Sequence, residues 1–230
     1  MITQSEGLMR QFRYFTIALL VLCADEVVPG FAWAQDDGLT VREFGALMVE
    51  NEVPTGIVLP EAALTFRRPA RQPAATGSAA RAAFRANIGT FLGKFSAQNP
   101  SLRAEFTGRT IRLQALELPS HVKDLLTQDV LLEEHEGNPQ ALLFGVVMPA
   151  VRGQPPGGVA GSGISPACQT TGQVRLSEGS RSVGQILDAL VMQSPDVAWL
   201  VTYEPDKGTQ GLQMGFICRD GSSVKAKEYN

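Results

Sequence analysis

The chain is short of the residues that build metal centres and grip nucleic acid. It holds three cysteines and two histidines in 230 residues. His121 and His135 stand far from the cysteines and from each other, without the close ligand spacing of zinc sites. No metal site is expected. Basic side chains are outnumbered, 20 against 23 acidic, and no basic run occurs. A nucleic-acid binder carries a basic patch or stripe, so that class is excluded. Long apolar runs are absent too. The longest, Phe15 to Ala24 (FTIALLVLCA), is half of the roughly 20 residues that a membrane-spanning helix needs.

That run reads instead as the centre of an export signal. Arg10 and Arg13 precede it, and Ala32-Trp33-Ala34 offers a small-x-small cleavage site. Residues 1–34 are therefore expected to be a signal peptide, with Gln35 as the new N-terminus. Leu20-Val21-Leu22-Cys23 is the alternative, a lipobox that would anchor the chain through Cys23, although Leu22 stands where a small residue is usual. The remaining chain carries 18 basic and 20 acidic side chains. It retains Cys168 and Cys218, and an even pair in an exported chain predicts a disulfide. The closed loop would be worth roughly 4 kcal/mol in the chain-entropy model.

Capping signals and hydrophobic period organise the rest. Thr40 with Glu43 is a capping box opening a helix to about Asn51, with Val41, Phe44, Leu47 and Met48 on one face. Gly56 to Leu59 is a short apolar strand stopped by Pro60. Residues 67–78 read as a loop. Ser78 caps a second helix over about Ala79 to Ala97, whose apolar face is Phe84, Ile88, Phe91, Leu92 and Phe95. Asn99-Pro100 stops it, and Leu102 to Leu116 follows as a hairpin around Gly108. Ser120 to Gln128 suits a short helix and Val130 to Leu132 a strand. Asn138-Pro139 starts another helix, Ala141 to Val147.

Residues 149–166 hold four prolines and five glycines and read as a flexible loop. Beyond it come a strand at Gln173 to Leu176 and a second capping box, Ser182 with Gln185. The helix that follows has Val183, Ile186, Leu187, Leu190 and Val191 on one face. Ser194-Pro195 stops it, and Val197 to Cys218 alternates as a second hairpin. Residues 223–230 read as a flexible tail. At an offset of 95 residues, Leu92, Gln98, Pro100 and Thr107 match Leu187, Gln193, Pro195 and Thr202. The fold class expected is α+β, with helices on one face of small antiparallel or mixed sheets. Two related modules are expected, 35–148 and 167–222, split by the Pro/Gly loop.

Chemistry is sparse in this pattern. Gly161-Ser162-Gly163 lacks the G-x-S-x-G spacing of a nucleophile elbow. GGVAGSG at 157–163 lacks the Lys-Ser/Thr of a phosphate loop. Glu133, Glu134 and Glu136 flank His135, but neighbours in sequence point apart on a helix or strand. No catalytic, cofactor-binding or metal-binding residue is assigned, and no cofactor. Trp199 and Tyr203 are a possible interaction surface, because aromatics are enriched at interfaces. They share a continuously apolar face with Val197 and Val201, so a core role competes.

The run SVGQILDALVMQSPDVAWLVTYEP, residues 182–205, with the preceding strand QVRLS, resembles the helix-plus-strand core of the secretin and TonB receptor N-terminal short domain. Residues 91–113 look like a more distant copy. The resemblance implies a small cell-envelope module that docks to another envelope protein and does no catalysis. The function expected is thus an exported docking module. Two other readings stay open: a secreted hydrolase with a non-local site using Glu133, Glu134 and His135, or a periplasmic ligand binder with a pocket between modules.

Overall fold

In the computed structural model, residues 40–64, 77–153 and 172–225 are described. Helix α1 (Val41–Glu50) begins as its capping box requires. The Thr40 hydroxyl accepts from the Glu43 N–H at 3.2 Å, and the Glu43 carboxylate accepts from the Thr40 N–H at 2.9 Å. Strand β1 (Thr55–Pro60) follows. The single long helix expected over 79–97 is two, α2 (Ser78–Ala86) and α3 (Ile88–Gln98), broken at Asn87. Asn87 sits at φ −104°, ψ 10°, and its side-chain amide donates to the Ala83 carbonyl at 3.0 Å. Such local bonding competes with helix continuation. Gly77, not Ser78, occupies the N-cap of α2.

The hairpin β2 (Leu102–Thr107) and β3 (Thr110–Ala115) forms where alternation placed it, with Gly108 at φ 70° in its turn. Helix α4 (Ser120–Thr127), strand β4 (Asp129–Leu132) and strand β5 (His135–Gly137) come next. Helix α5 (Pro139–Leu142) starts with Asn138 as its cap, its side-chain oxygen accepting from the Ala141 N–H at 2.7 Å. It runs through a π-helical turn, Leu143–Val147, into α6 (Met148–Val151), so residues 149–151 are helical rather than loop. Residues 154–171 lie outside the described residues. Strands β6 (Val174–Leu176) and β7 (Gly179–Ser182) lead to helix α7 (Val183–Gln193), capped by Ser182 and Gln185. Strands β8 (Val197–Tyr203), β9 (Gln213–Cys218) and β10 (Ser223–Lys225) end the fold. Residues 223–225, expected in a tail, instead pair with Ile217, Phe216 and Gly215.

The fold is α+β, built on one six-stranded mixed sheet of order β10-β9-β8-β1-β3-β2. Strand β1 runs parallel to both β3 and β8, and the other neighbours are antiparallel. A parallel strand pair needs cover on both faces, and the sheet has it. Ile57, Leu59, Ile111, Leu113 and Ile217 point toward α1, where Phe44 meets Phe95 of α3 at 4.7 Å between ring centres. A side chain at Gly45 would collide with Ile217, so α1 lies directly on β9. On the other face Val58, Trp199, Val201 and Phe216 pack with Ile186, Leu187 and Leu190 of α7, and with Val122 and Leu143. The expectation of helices on one face is corrected: alternating strand residues are apolar on both sides, and each side holds its own helices.

The expected pair of separate modules is also corrected. The described residues all fall in one compact unit. Strands from both halves share the central sheet, and two small ladders cross between the halves, β4 with β7 and β5 with β6. The echo at an offset of 95 is real in local form, since α3 precedes β2 as α7 precedes β8. The two copies occupy unlike places. Strand β2 is at the sheet edge and antiparallel to its one neighbour, whereas β8 is interior and parallel to β1. Helices α3 and α7 cover opposite faces. A helix, a proline stop and a strand are a local solution, and strand pairing decided where each copy went.

One close approach tests this packing. A β-carbon built on Gly56 would lie 2.0 Å from the Trp199 indole ring. Gly56→Ala is expected to destabilise the fold by about 3 kcal/mol, measured by urea unfolding. A loss below about 0.5 kcal/mol, the scale of an ordinary surface substitution, would contradict the placement of Trp199.

Candidate functional site

Trp199 and Tyr203, offered by the sequence as a possible interaction surface, are core residues with 0% and 3% exposure. That surface role is corrected. Their alternating face points into the layer under α7, which buries it entirely. The Trp199 indole still needs a hydrogen-bond partner in this interior. It finds Asp188 of α7, its N–H donating to Oδ1 at 2.9 Å. The other oxygen, Oδ2, accepts from the Arg112 guanidinium at 3.0 Å, and Arg112 Cζ lies 5.4 Å from the Trp199 ring centre. Strand β3 thus reaches across β1 to helix α7. Gly184, one turn before Asp188, lets α7 lie close to the end of α4: a β-carbon there would stand 3.1 Å from the Leu126 carbonyl.

Burial pushes the Asp188 carboxyl above its ordinary value, against the opposing pull of Arg112 and of the Trp199 N–H. The sequence signal for this group was absent. Arg112 and Asp188 are 76 residues apart, and Asp188 reads as one polar residue beside an apolar helical face.

The acidic run disperses. Glu134 pairs with Arg175, both exposed. His135 lies in β5 opposite Leu176, and Glu136 points to solvent opposite Arg175. Among the described residues no group of three metal-ligating side chains forms, and Glu133, Glu134 and His135 do not converge. Cys218 is fully buried at the end of β9. Its expected partner Cys168 lies outside the described residues, as do Cys23 and residues 1–34. No described helix is long and apolar enough to cross a membrane.

Among the described residues, an edge strand and a cleft are open to other molecules, besides β10 at the far end of the sheet. The first is β2, the terminal strand of the sheet, which has one neighbour, β3, among the described residues. The two-residue turn Gly108-Arg109 makes Thr107–Thr110 the hydrogen-bonded closing pair of the hairpin. Arg103 and Glu105 then bond inward to β3, and the backbone groups of Ala104 and Phe106 face outward, whereas the Leu102 N–H donates to the Asn99 carbonyl at 2.9 Å. Phe106 is 56% exposed.

The second feature is a cleft of about 590 Å³ between α4, α6 and the turn before β9. Leu125, Met148, Leu212 and Met214 form its apolar wall, with His121, Asp124 and Arg152 among its polar residues. The His121 ring stands edge-on to Tyr203 at 6.4 Å, and burial raises the Tyr203 phenol above its usual range.

No family model, curated protein or solved structure matches the chain.

The Asp188 group yields a signed pH test. A carboxyl raised by folding favours the fold below its unfolded value of about 3.8, and that contribution is lost as pH rises through the folded value. Urea unfolding of the protein and of Asp188→Asn from about pH 3 to 7 should show the wild-type advantage shrinking with pH and then levelling. An advantage that grows over that window would mean the carboxyl is lowered by Arg112 instead. Asp188→Ala, which strands Arg112, is expected to cost about 3 kcal/mol.

Proposed function

We propose that the protein is an exported cell-envelope docking module that binds a partner by strand addition along β2. The observation that carries this is the open β2 edge, with the outward backbone groups of Ala104 and Phe106 lacking a strand partner among the described residues. An added strand gains main-chain hydrogen bonds along such an edge and specificity from alternate side chains. Leu102, Ala104 and Phe106 present one apolar row. Arg103 and Glu105, joined at 2.6 Å, present a charged row on the opposite face. The fitting partner is therefore an extended segment that alternates apolar and charged residues. Export is read from residues 1–34, and the lipid anchor at Cys23 is the competing leader.

The hydrolase reading needs Glu133, Glu134 and His135 to meet, and the placement of exposed Glu133 and Glu134 apart from half-buried His135 gives it no support. Docking without catalysis accords with the secretin and TonB short-domain resemblance in residues 182–205.

Affinity capture from envelope extract with the protein as bait is the test. Ala104→Pro removes one outward N–H and leaves the β3 ladder intact, as proline does at sheet edges. Capture of a defined partner is expected from the wild type and is expected to be lost with Ala104→Pro, while far-UV circular dichroism is unchanged. Equal capture by both would remove β2 as the docking edge. The compartment has its own check. Free-thiol titration of the denatured, unreduced protein after leader removal is expected to find none, because Cys168 and Cys218 are paired. Two reactive thiols would refute the pairing.

A further inference from the structure

The β2 edge carries a pattern that selects its own occupant. The strand is Leu-Arg-Ala-Glu-Phe-Thr over Leu102–Thr107. Taken outward from Ala104 in both directions, each charge mirrors its opposite and each apolar residue mirrors another: Arg103 with Glu105, and Leu102 with Phe106. The phase of the backbone agrees with this symmetry. The Leu116 N–H donates to the Ser101 carbonyl at 3.1 Å, in step with odd-numbered residues of β2 bonding inward to β3. The outward groups of Ala104 can therefore meet those of an identical residue across a two-fold axis. Phe106, on the row that would lie beside the axis, is an exposed large apolar side chain.

We infer that β2 pairs antiparallel with β2 of a second copy of this chain, with Ala104 opposite Ala104 on the axis. This rests on the reading of β2 as the docking edge and names the edge's occupant. The contact is isologous, the same strand serving on both sides. Arg103 of each copy then lies opposite Glu105 of the other, in non-hydrogen-bonded pairs with β-carbons about 5 Å apart. Arg103 and Glu105 are already joined within the strand at 2.6 Å, so the pairs close into a ring of alternating charge. On the opposite face Leu102 lies against Phe106 of the second copy and covers its ring. Ala104 N–H donates to the Ala104 carbonyl in each direction, and Phe106 N–H donates to the Leu102 carbonyl. The Leu102 N–H keeps its bond to the Asn99 carbonyl at 2.9 Å. Neighbouring registers fail on charge. An axis through residue 103 sets Arg103 against Arg103, and one through residue 105 sets Glu105 against Glu105. Like charges directly opposite are destabilising.

Sedimentation equilibrium of the purified full chain tests this. The wild type is expected to dimerise with a Kd of about 100 μM, weak because one short edge is shared. Arg103→Glu and Glu105→Arg each set like charges opposite one another across the axis. Each is expected to weaken self-association at least about tenfold. Mixed in equal amounts, the two variants are expected to recover the wild-type affinity, because every acidic side chain then faces a basic one. A general effect of charge would give no recovery. Ala104→Pro changes no charge and is expected to be monomeric, with its circular dichroism unchanged. Glu105 also faces Arg112 on β3, so where Glu105→Arg does not fold, Arg103→Glu and Ala104→Pro carry the test. Self-association unaltered by those two variants overturns the inference, as does a mixture of folded variants that binds no tighter than either alone. A monomeric wild type overturns it as well. If affinity capture still separates wild type from Ala104→Pro in that case, the edge belongs to a chain of another sequence and the docking reading stands.

Discussion

The fold turns on one buried contact, the Trp199 indole held between Asp188 and Gly56. Trp199 lies on β8, Asp188 on the helix above it, Gly56 on the neighbouring strand β1, and Arg112 on the strand beyond that. Four elements from both halves of the chain meet there. The indole N–H must be satisfied because the site is closed to water, and the Asp188 carboxylate must be satisfied because it is largely removed from water. Each is the other's answer, and Arg112 completes the charge balance. The arrangement needs a glycine at position 56, which lets the ring lie against β1. The Arg112–Asp188 pair adds little net stability by itself, since desolvation offsets much of its attraction. What it adds is a link across the sheet, tying the observed register of β3 on β1 to helix α7.

From that centre the outer parts of the sheet follow. With β1 parallel to both neighbours, its hydrogen bonds and both its faces are used up in the interior, and any site has to lie at the periphery. The hairpin β2–β3 joins through β3, which leaves β2 outermost. The β8–β9 hairpin joins through β8, and its connecting turn reaches the cleft beside α4. The open edge and the cleft are thus consequences of which strand of each hairpin contacts β1. Arg103 and Glu105 on β2 are consistent with a protected edge, because charge on an edge strand disfavours indiscriminate pairing. A partner that matches those charges escapes that penalty.

Much of the local structure was legible. Both capping boxes, the Asn138 cap, the Pro100 and Pro195 stops and both hairpins stand where residue patterns put them, because each is decided within about ten residues of chain. What was hidden is non-local. Strand β7, Gly-Ser-Arg-Ser, has no apolar residue and is a strand because β4 pairs with it. Strand β10 exists through Phe216 and Ile217 across a turn. The break at Asn87 was masked by an unbroken apolar face, and the helices were assigned to one sheet face because period two does not say which side is covered. Trp199 was ambiguous for the same reason, an apolar face being equally a core and a platform until a helix is laid on it. The Asp188 partnership and the assembly of the cleft had no signature at all, since their members come from segments far apart in sequence.

The two halves of the chain are one cooperative structure joined through β1 and the Trp199 contact. Native-state hydrogen exchange addresses it directly through the amides of Ile57, Leu113 and Leu200, which lie on adjacent strands in register. A shared opening free energy for the three, equal to that of global unfolding, is expected. Separate opening of the β2–β3 hairpin, with Leu113 exchanging at a distinctly lower free energy than Leu200, would show two modules that merely adjoin and would contradict it.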